Sequence, residues 1–190
     1  MRQFLDKLYN LSGWAAGGFI AAICAVVILQ VILNLIDRIA SIMTGSAIGL
    51  TLPSYADFTG FFLAAASFLA LAYTLKDGGH IRVSLVLQML SKKAQRFFEI
   101  WCLFVASAIA VFFTIYTSFL VYESFAYNDL SPGIIPIPIW MPMMPMLIGL
   151  AIFATALVDD LFRVIYGHSP SYAGKGENLL EDDPASLHAE

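Results

Sequence analysis

The chain has 190 residues, of which 59% are hydrophobic and only 13% charged, and its mean hydropathy is +0.79. A soluble domain carries roughly 25% charged residues and lacks the volume to hide so much apolar surface, so the sequence places the chain in the integral membrane class. The net charge of −4 reflects mainly an acidic C-terminal tail, and no basic face interleaved with aromatic residues is present, which argues against a nucleic-acid partner.

Taken in order, a short polar segment, Met1–Lys7, precedes a first predicted span over residues 12–36. Its length corresponds to about 37 Å of helix, enough to cross about 30 Å of hydrocarbon with some tilt. Leu8–Ile36 carries no charge and is longer than the apolar core of a signal peptide, so the segment is expected to be retained. Gly13, Gly17, Ala21 and Ala25 recur every fourth residue, a small-residue stripe on which another helix can approach closely. Gln30 and Asn34 stand one turn apart near the far end of the span. Asp37–Pro53 reads as an apolar connector containing Arg38. The second span covers residues 54–75, with Asp57 in its first turns, where an acid complements the positive end of the helix dipole.

Lys76–Val83, KDGGHIRV, then concentrates charge around a glycine pair suited to a sharp turn. Residues 81–90, IRVSLVLQML, are expected to form a short interfacial amphipathic helix. Ser91 is a plausible N-cap for a third span over residues 92–122. Glu123–Ile139 is a second connector, with turn composition at Asp129–Gly133. Pro132, Pro136, Pro138, Pro142 and Pro145 crowd the start of a fourth span over residues 140–166, where proline removes N–H groups that lack helical partners. Residues 168–190 form an acidic tail expected to be mobile, which leaves residues 1–167 as one four-helix transmembrane domain.

Four spans put both termini and the 76–96 region on one side. That side holds Arg2, Lys7, Lys76, Arg82, Lys92, Lys93, Arg96, Arg163 and Lys175, against Arg38 alone on the other. The bias predicts that both termini are cytoplasmic.

The residues of several chemistries are missing. His80, His168 and His188 lie outside the spans, so none is placed to ligate an intramembrane haem. No protease or zinc motif is present, and Cys24 and Cys102 read as small apolar residues of separate spans. Asp37, Arg38, Asp57, Glu99, Glu123, Asp159 and Asp160 fall near span ends, whereas a carrier site calls for ionisable groups or broken helices near the midplane. No catalytic residue, metal site or cofactor is expected, and the chain is read as a non-enzyme.

Gly79-His80-Ile81-Arg82-Val83, following a helix and preceding an apolar stretch and a basic helix start, resembles the small membrane subunit of TRAP (tripartite ATP-independent periplasmic) transporters, the DctQ-like Q subunit. Arg38 and Asp57 around the first outer connector, and Ile137-Pro138-Ile139-Trp140 with Gly149 at the last span, agree with it over roughly residues 10–165. Ser84 departs from the pattern, which commonly has Asp there. The resemblance implies a multi-pass protein of the bacterial or archaeal inner membrane, pairing with a large multi-span subunit that carries substrate and a coupling ion, usually Na⁺. It also implies a periplasmic binding protein that delivers an organic-acid anion, and a non-catalytic scaffolding role for this subunit. Arg38 and Asp57 are then candidate contacts to the binding protein, and Gly79–Val83 a motif at a cytoplasmic turn. From the residues alone, an independent four-span protein, such as a small carrier or an assembly factor, stands as the alternative.

Overall fold

The structure is a computed structural model, and it describes residues 2–78, 91–168 and 170–172. The expected interfacial helix at 81–90 and the motif at 79–83 lie outside the described residues. Four helices follow one another: α1 (Arg2–Thr44), α2 (Tyr55–Lys76), α3 (Lys92–Tyr127) and α4 (Trp140–Ile165). Each is long and apolar enough to cross a membrane. Among the described residues the one β pairing is an isolated bridge between Leu130 and Pro138.

Two helices run further than the sequence suggests. α1 continues through Asp37 and Arg38 to Thr44, well past the expected end at 36, and starts ten residues before 12. Charge marks where hydrocarbon ends, not where a helix ends. Isoleucine, alanine and methionine after Arg38 sustain the helix, and Gly45, at φ +76°, stops it, as glycine does just past a helix C-terminus. α3 likewise continues from the expected 122 to Tyr127 and closes on Asn128 in the left-handed conformation, which asparagine tolerates. The prolines start α4 only in part. Pro145 is the sixth residue of the helix, beyond the turn whose N–H groups are free, so it removes one helical hydrogen bond.

The helices stand in a row. α1 packs on α2, α2 on α4 and α4 on α3; α1 meets α4 only marginally, and neither α1 nor α2 packs substantially on α3. The middle joint is a close backbone approach. Gly149 of α4 lies against the backbone of Phe68 in α2, and a Cβ there would stand 2.5 Å from the Phe68 carbonyl oxygen. α1 meets α2 through Gly13 under the ring of Tyr73, through a hydrogen bond from Ser12 Oγ to the Leu69 carbonyl, and through Phe19 and Phe62, whose rings are 5.7 Å apart. At the other edge Phe125 of α3 meets Trp140 of α4 edge to face at 5.6 Å. The buried cluster gathers at one end, around Tyr9, Ala72, Leu75, Leu157 and Val164.

Two contacts align α1 with α2. Lys76 pairs with Asp6 at 2.9 Å at one end, and the Leu52 N–H donates to Gln30 Oε1 at 2.8 Å at the other. Residues 6–30 of α1 therefore run alongside α2, and the remaining residues to Thr44 continue about 20 Å beyond at about 1.5 Å per residue. The connector doubles back along this extension.

Candidate partner-binding surfaces

The connector after α1 is held by side chains of α1 itself. Asp37 Oδ1 accepts the N–H groups of Ile48 and Gly49, each at 2.7 Å. Two turns earlier, Gln30 is buried, donating to Asn34 Oδ1 at 2.9 Å and Thr51 Oγ1 at 3.2 Å while accepting from Leu52. Spacings of four and seven put Gln30, Asn34 and Asp37 on one helix face, so a polar stripe carries the loop. Asp37, expected to be a simple end charge, is thus a loop cap. The spacing was visible in the sequence; its meaning depended on recognising that the helix continues and that the chain turns back. On the other side of this extension, Ile39, Ile42 and Met43 are exposed, as is Ile48 of the connector.

Of the two candidate outer contacts, Arg38 is exposed and Asp57 half-buried. Among the described residues no ion pair joins them. Asp57 sits beneath the second connector: its carboxylate lies against Gly133, and the Ile135 N–H donates to the buried Ser54 Oγ at 3.0 Å. The connector is itself folded, by Ser131 N–H to the Ile137 carbonyl at 2.8 Å and Ile139 N–H to the Asp129 carbonyl at 3.0 Å. Arg38 is therefore an exposed charge with no ion pair among the described residues, whereas Asp57 also belongs to the seat of a loop.

The small-residue stripe divides. Gly13 is used within the chain, against Tyr73. Gly17, Ala21 and Ala25 are exposed, and a Cβ on Gly17 would meet nothing within 4 Å. Cys24 and Cys102, expected to pack as small apolar residues, are also exposed and free. α3 shows large aromatics outward, including Phe97, Trp101, Phe104, Phe112 and Tyr116.

Five hydroxyls within the spans are turned onto their own helices, whereas Ser12 donates across from α1 to α2. Ser67 donates to the Leu63 carbonyl, Ser107 to Leu103, Thr114 to Ala110, Ser118 to Thr114 and Thr155 to Ala151, all at 2.6–2.8 Å. A hydroxyl that donates to the carbonyl four residues back has no proton left for a passing solute. Asp160 differs from all of these: it is 1% exposed and the single charged residue buried among those described. From its position in the sequence it is expected to be an end charge. Its partner is Ser171, whose N–H donates to Oδ1 at 2.9 Å and whose Oγ donates to Oδ2 at 2.7 Å. No local signal connects the two, because Ser171 lies beyond the last helix. At the same end Arg96 of α3 donates from Nη2 to the carbonyls of Val164 and Ile165, at 3.3 and 3.0 Å; the first also accepts the Gly167 N–H at 3.1 Å.

With this geometry in place, a family model described as "Tripartite ATP-independent periplasmic transporters, DctQ component" matches residues 42–167. The match covers the end of α1, all of α2, α3 and α4, and the connectors that follow α1 and α3. No curated protein and no solved structure shows a significant match to the chain.

Proposed function

The chain belongs to the DctQ component family of tripartite ATP-independent periplasmic transporters, and from that premise we propose that it is the non-catalytic small permease subunit of such a transporter. Its role in this reading is to scaffold the large multi-span membrane subunit. That partner carries the substrate, an organic-acid anion delivered by a periplasmic binding protein, in symport with an ion, Na⁺ in the first instance. The observation that carries the scaffold role is the row of helices: α1, α2, α4 and α3 stand side by side, each of the two edge helices packed on one main neighbour. A row one helix thick presents two broad faces to its surroundings. It suits a part that widens another protein better than one that encloses a path. The intrahelical bonding of the span hydroxyls supports the same reading, since a charged solute at depth needs polar groups free to receive it.

In this reading the chain sits in the inner membrane with both termini cytoplasmic, as the excess of basic residues at the Lys76 and Arg96 end suggests. Arg38 and Asp57 face the binding protein, Gly79–Val83 forms a cytoplasmic turn, and Gly17, Ala21 and Ala25 receive a helix of the large subunit. The decisive experiment is reconstitution into vesicles with an imposed Na⁺ gradient and the binding protein outside. The expected result is uptake only when both membrane subunits are present. Uptake by this chain alone, or undiminished uptake by the large subunit without it, overturns the scaffold role.

A further inference from the structure

We propose that residues 170–172 form a strap that hooks onto Asp160 and fastens together the ends of α1, α2 and α4 at which Tyr9, Leu75 and Val164 meet. After α4 the chain reverses direction through Gly167, at φ +87°, and the His168 N–H closes the turn on the Arg163 carbonyl at 2.9 Å. The reversal brings Ser171 back to a residue in the last two turns of the helix. A buried carboxylate is costly unless its oxygens are hydrogen-bonded. Here one residue serves both oxygens of Asp160, Ser171 N–H on Oδ1 and Ser171 Oγ–H on Oδ2. Two hydrogen bonds from a single residue, one to each carboxyl oxygen, hold Ser171 in place at both its backbone and its side chain.

What the hook places is Tyr172. It is 5% exposed and belongs to the buried cluster that includes Tyr9 of α1, Ala72 and Leu75 of α2, and Leu157 and Val164 of α4. α1 otherwise meets α4 only marginally. An aromatic side chain added to a cluster drawn from three helices supplies a joint where α1 and α4 otherwise barely meet. Arg96 of α3 holds the last carbonyls of α4 at the same end, so all four helices are linked there. The strap makes the row stiff at this end, and Asp160 is its positioning residue. This inference does not depend on the transport role, because its readout is the protection of particular amides.

The test is hydrogen exchange on the full chain in lipid nanodiscs, read by mass on peptides spanning 166–173. The wild type is expected to protect the Ser171 amide. Asp160→Ala is expected to speed its exchange about tenfold or more, given the strength of hydrogen bonds to charged groups. Asp160→Asn, which keeps an acceptor for the N–H, is expected to restore much of the protection. A second readout uses the native tyrosines. Chymotrypsin is expected to cleave wild type after exposed Tyr166 and not after Tyr172, and to cleave Asp160→Ala after both. Should Asp160→Ala fail to fold, Ser171→Ala, which removes the Oδ2 bond, decides: faster exchange of the residue 171 amide together with new cleavage after Tyr172 supports the strap, and no change in either overturns it. An unprotected Ser171 amide in the wild type, or equal rates in wild type and a folded Asp160→Ala, also overturns it.

Discussion

Gly149 of α4 faces the backbone of Phe68 in α2 with no room for a side chain between them. In water such closeness would accompany a hydrophobic core. In lipid the tails are as apolar as the helices, and association rests on van der Waals packing and interhelical hydrogen bonds, so close backbone approach is itself a source of stability. Gly149→Ala puts a methyl group 2.5 Å from a carbonyl oxygen that belongs to a helix and cannot swing aside. The expected cost is about 1–3 kcal/mol, as for other overpacked sites. Thermal unfolding in mild detergent measures it, with Gly60→Ala as the control, since a Cβ on Gly60 meets nothing within 4 Å. Equal melting of the two variants shows that the joint yields to a methyl group without cost.

The stripe on α1 makes a two-part prediction. Gly13→Leu is expected to destabilise the chain itself, because its first side-chain carbon already collides with the Tyr73 ring at 2.7 Å. Gly17→Leu and Ala21→Leu are expected to leave the isolated chain as stable as wild type, because both positions face outward. Both are expected to reduce co-purification with the large membrane subunit, by blocking close helix approach. Unchanged recovery of the complex in both outward variants shows that this face meets only the lipid bilayer.

Asp37 caps the first connector, and its removal has a local signature. Asp37→Ala deletes the acceptor for the Ile48 and Gly49 N–H groups while leaving the Gln30 bonds to Thr51 and Leu52 intact. Amide exchange is expected to rise by about tenfold at residues 48–49, and much less at Leu52, given roughly 1.5–3 kcal/mol for hydrogen bonds to a charged group. A uniform rise across the connector means that Asp37 and Gln30 act as one unit.

The spans were legible because hydropathy over about 20 residues is decided by the bilayer, which acts on every residue alike. The ends of α1 and α3 were less legible. Asp37-Arg38 and Glu123 signal water, and a helix continues into water where Ile39–Thr44 or Ser124–Tyr127 permit it. The row was not legible at all. Which helix packs on which depends on shape at Gly13, Gly149 and Ser12, and the apolar faces of all four helices look alike from composition. Asp160 was misread for a third reason: beside Asp159 near a helix end it resembles an ordinary interfacial acid, and only the return of Ser171 makes it a buried anchor. Nothing in the described residues bears on Gly79–Val83, so that motif rests on the sequence alone.

The outer charges separate two roles that reversal mutants can tell apart. Arg38 is exposed and unpaired among the described residues, so Arg38→Glu changes the surface without disturbing a neighbour. Charges at the rim of an interface act mainly on encounter and its salt dependence. Arg38→Glu is therefore expected to leave melting unchanged and to lower uptake several-fold when the binding protein is scarce, with the deficit shrinking as binding protein or salt is raised, since salt screens exposed charges over about 8–10 Å. Asp57 differs because its carboxylate lies under Gly133, beside the Ser54 hydroxyl that receives the Ile135 N–H. A lysine there must displace that loop and also reverses a favourable charge in the first turn of α2, worth roughly 0.3–1 kcal/mol. Asp57→Lys is expected to lower the melting temperature and to depress uptake at every concentration of binding protein. Uptake kinetics over a range of binding-protein concentrations, paired with melting of the same preparations, make the comparison. An Arg38→Glu variant with wild-type kinetics at low salt removes Arg38 from the docking surface, and an Asp57→Lys variant that melts normally removes Asp57 from the loop seat.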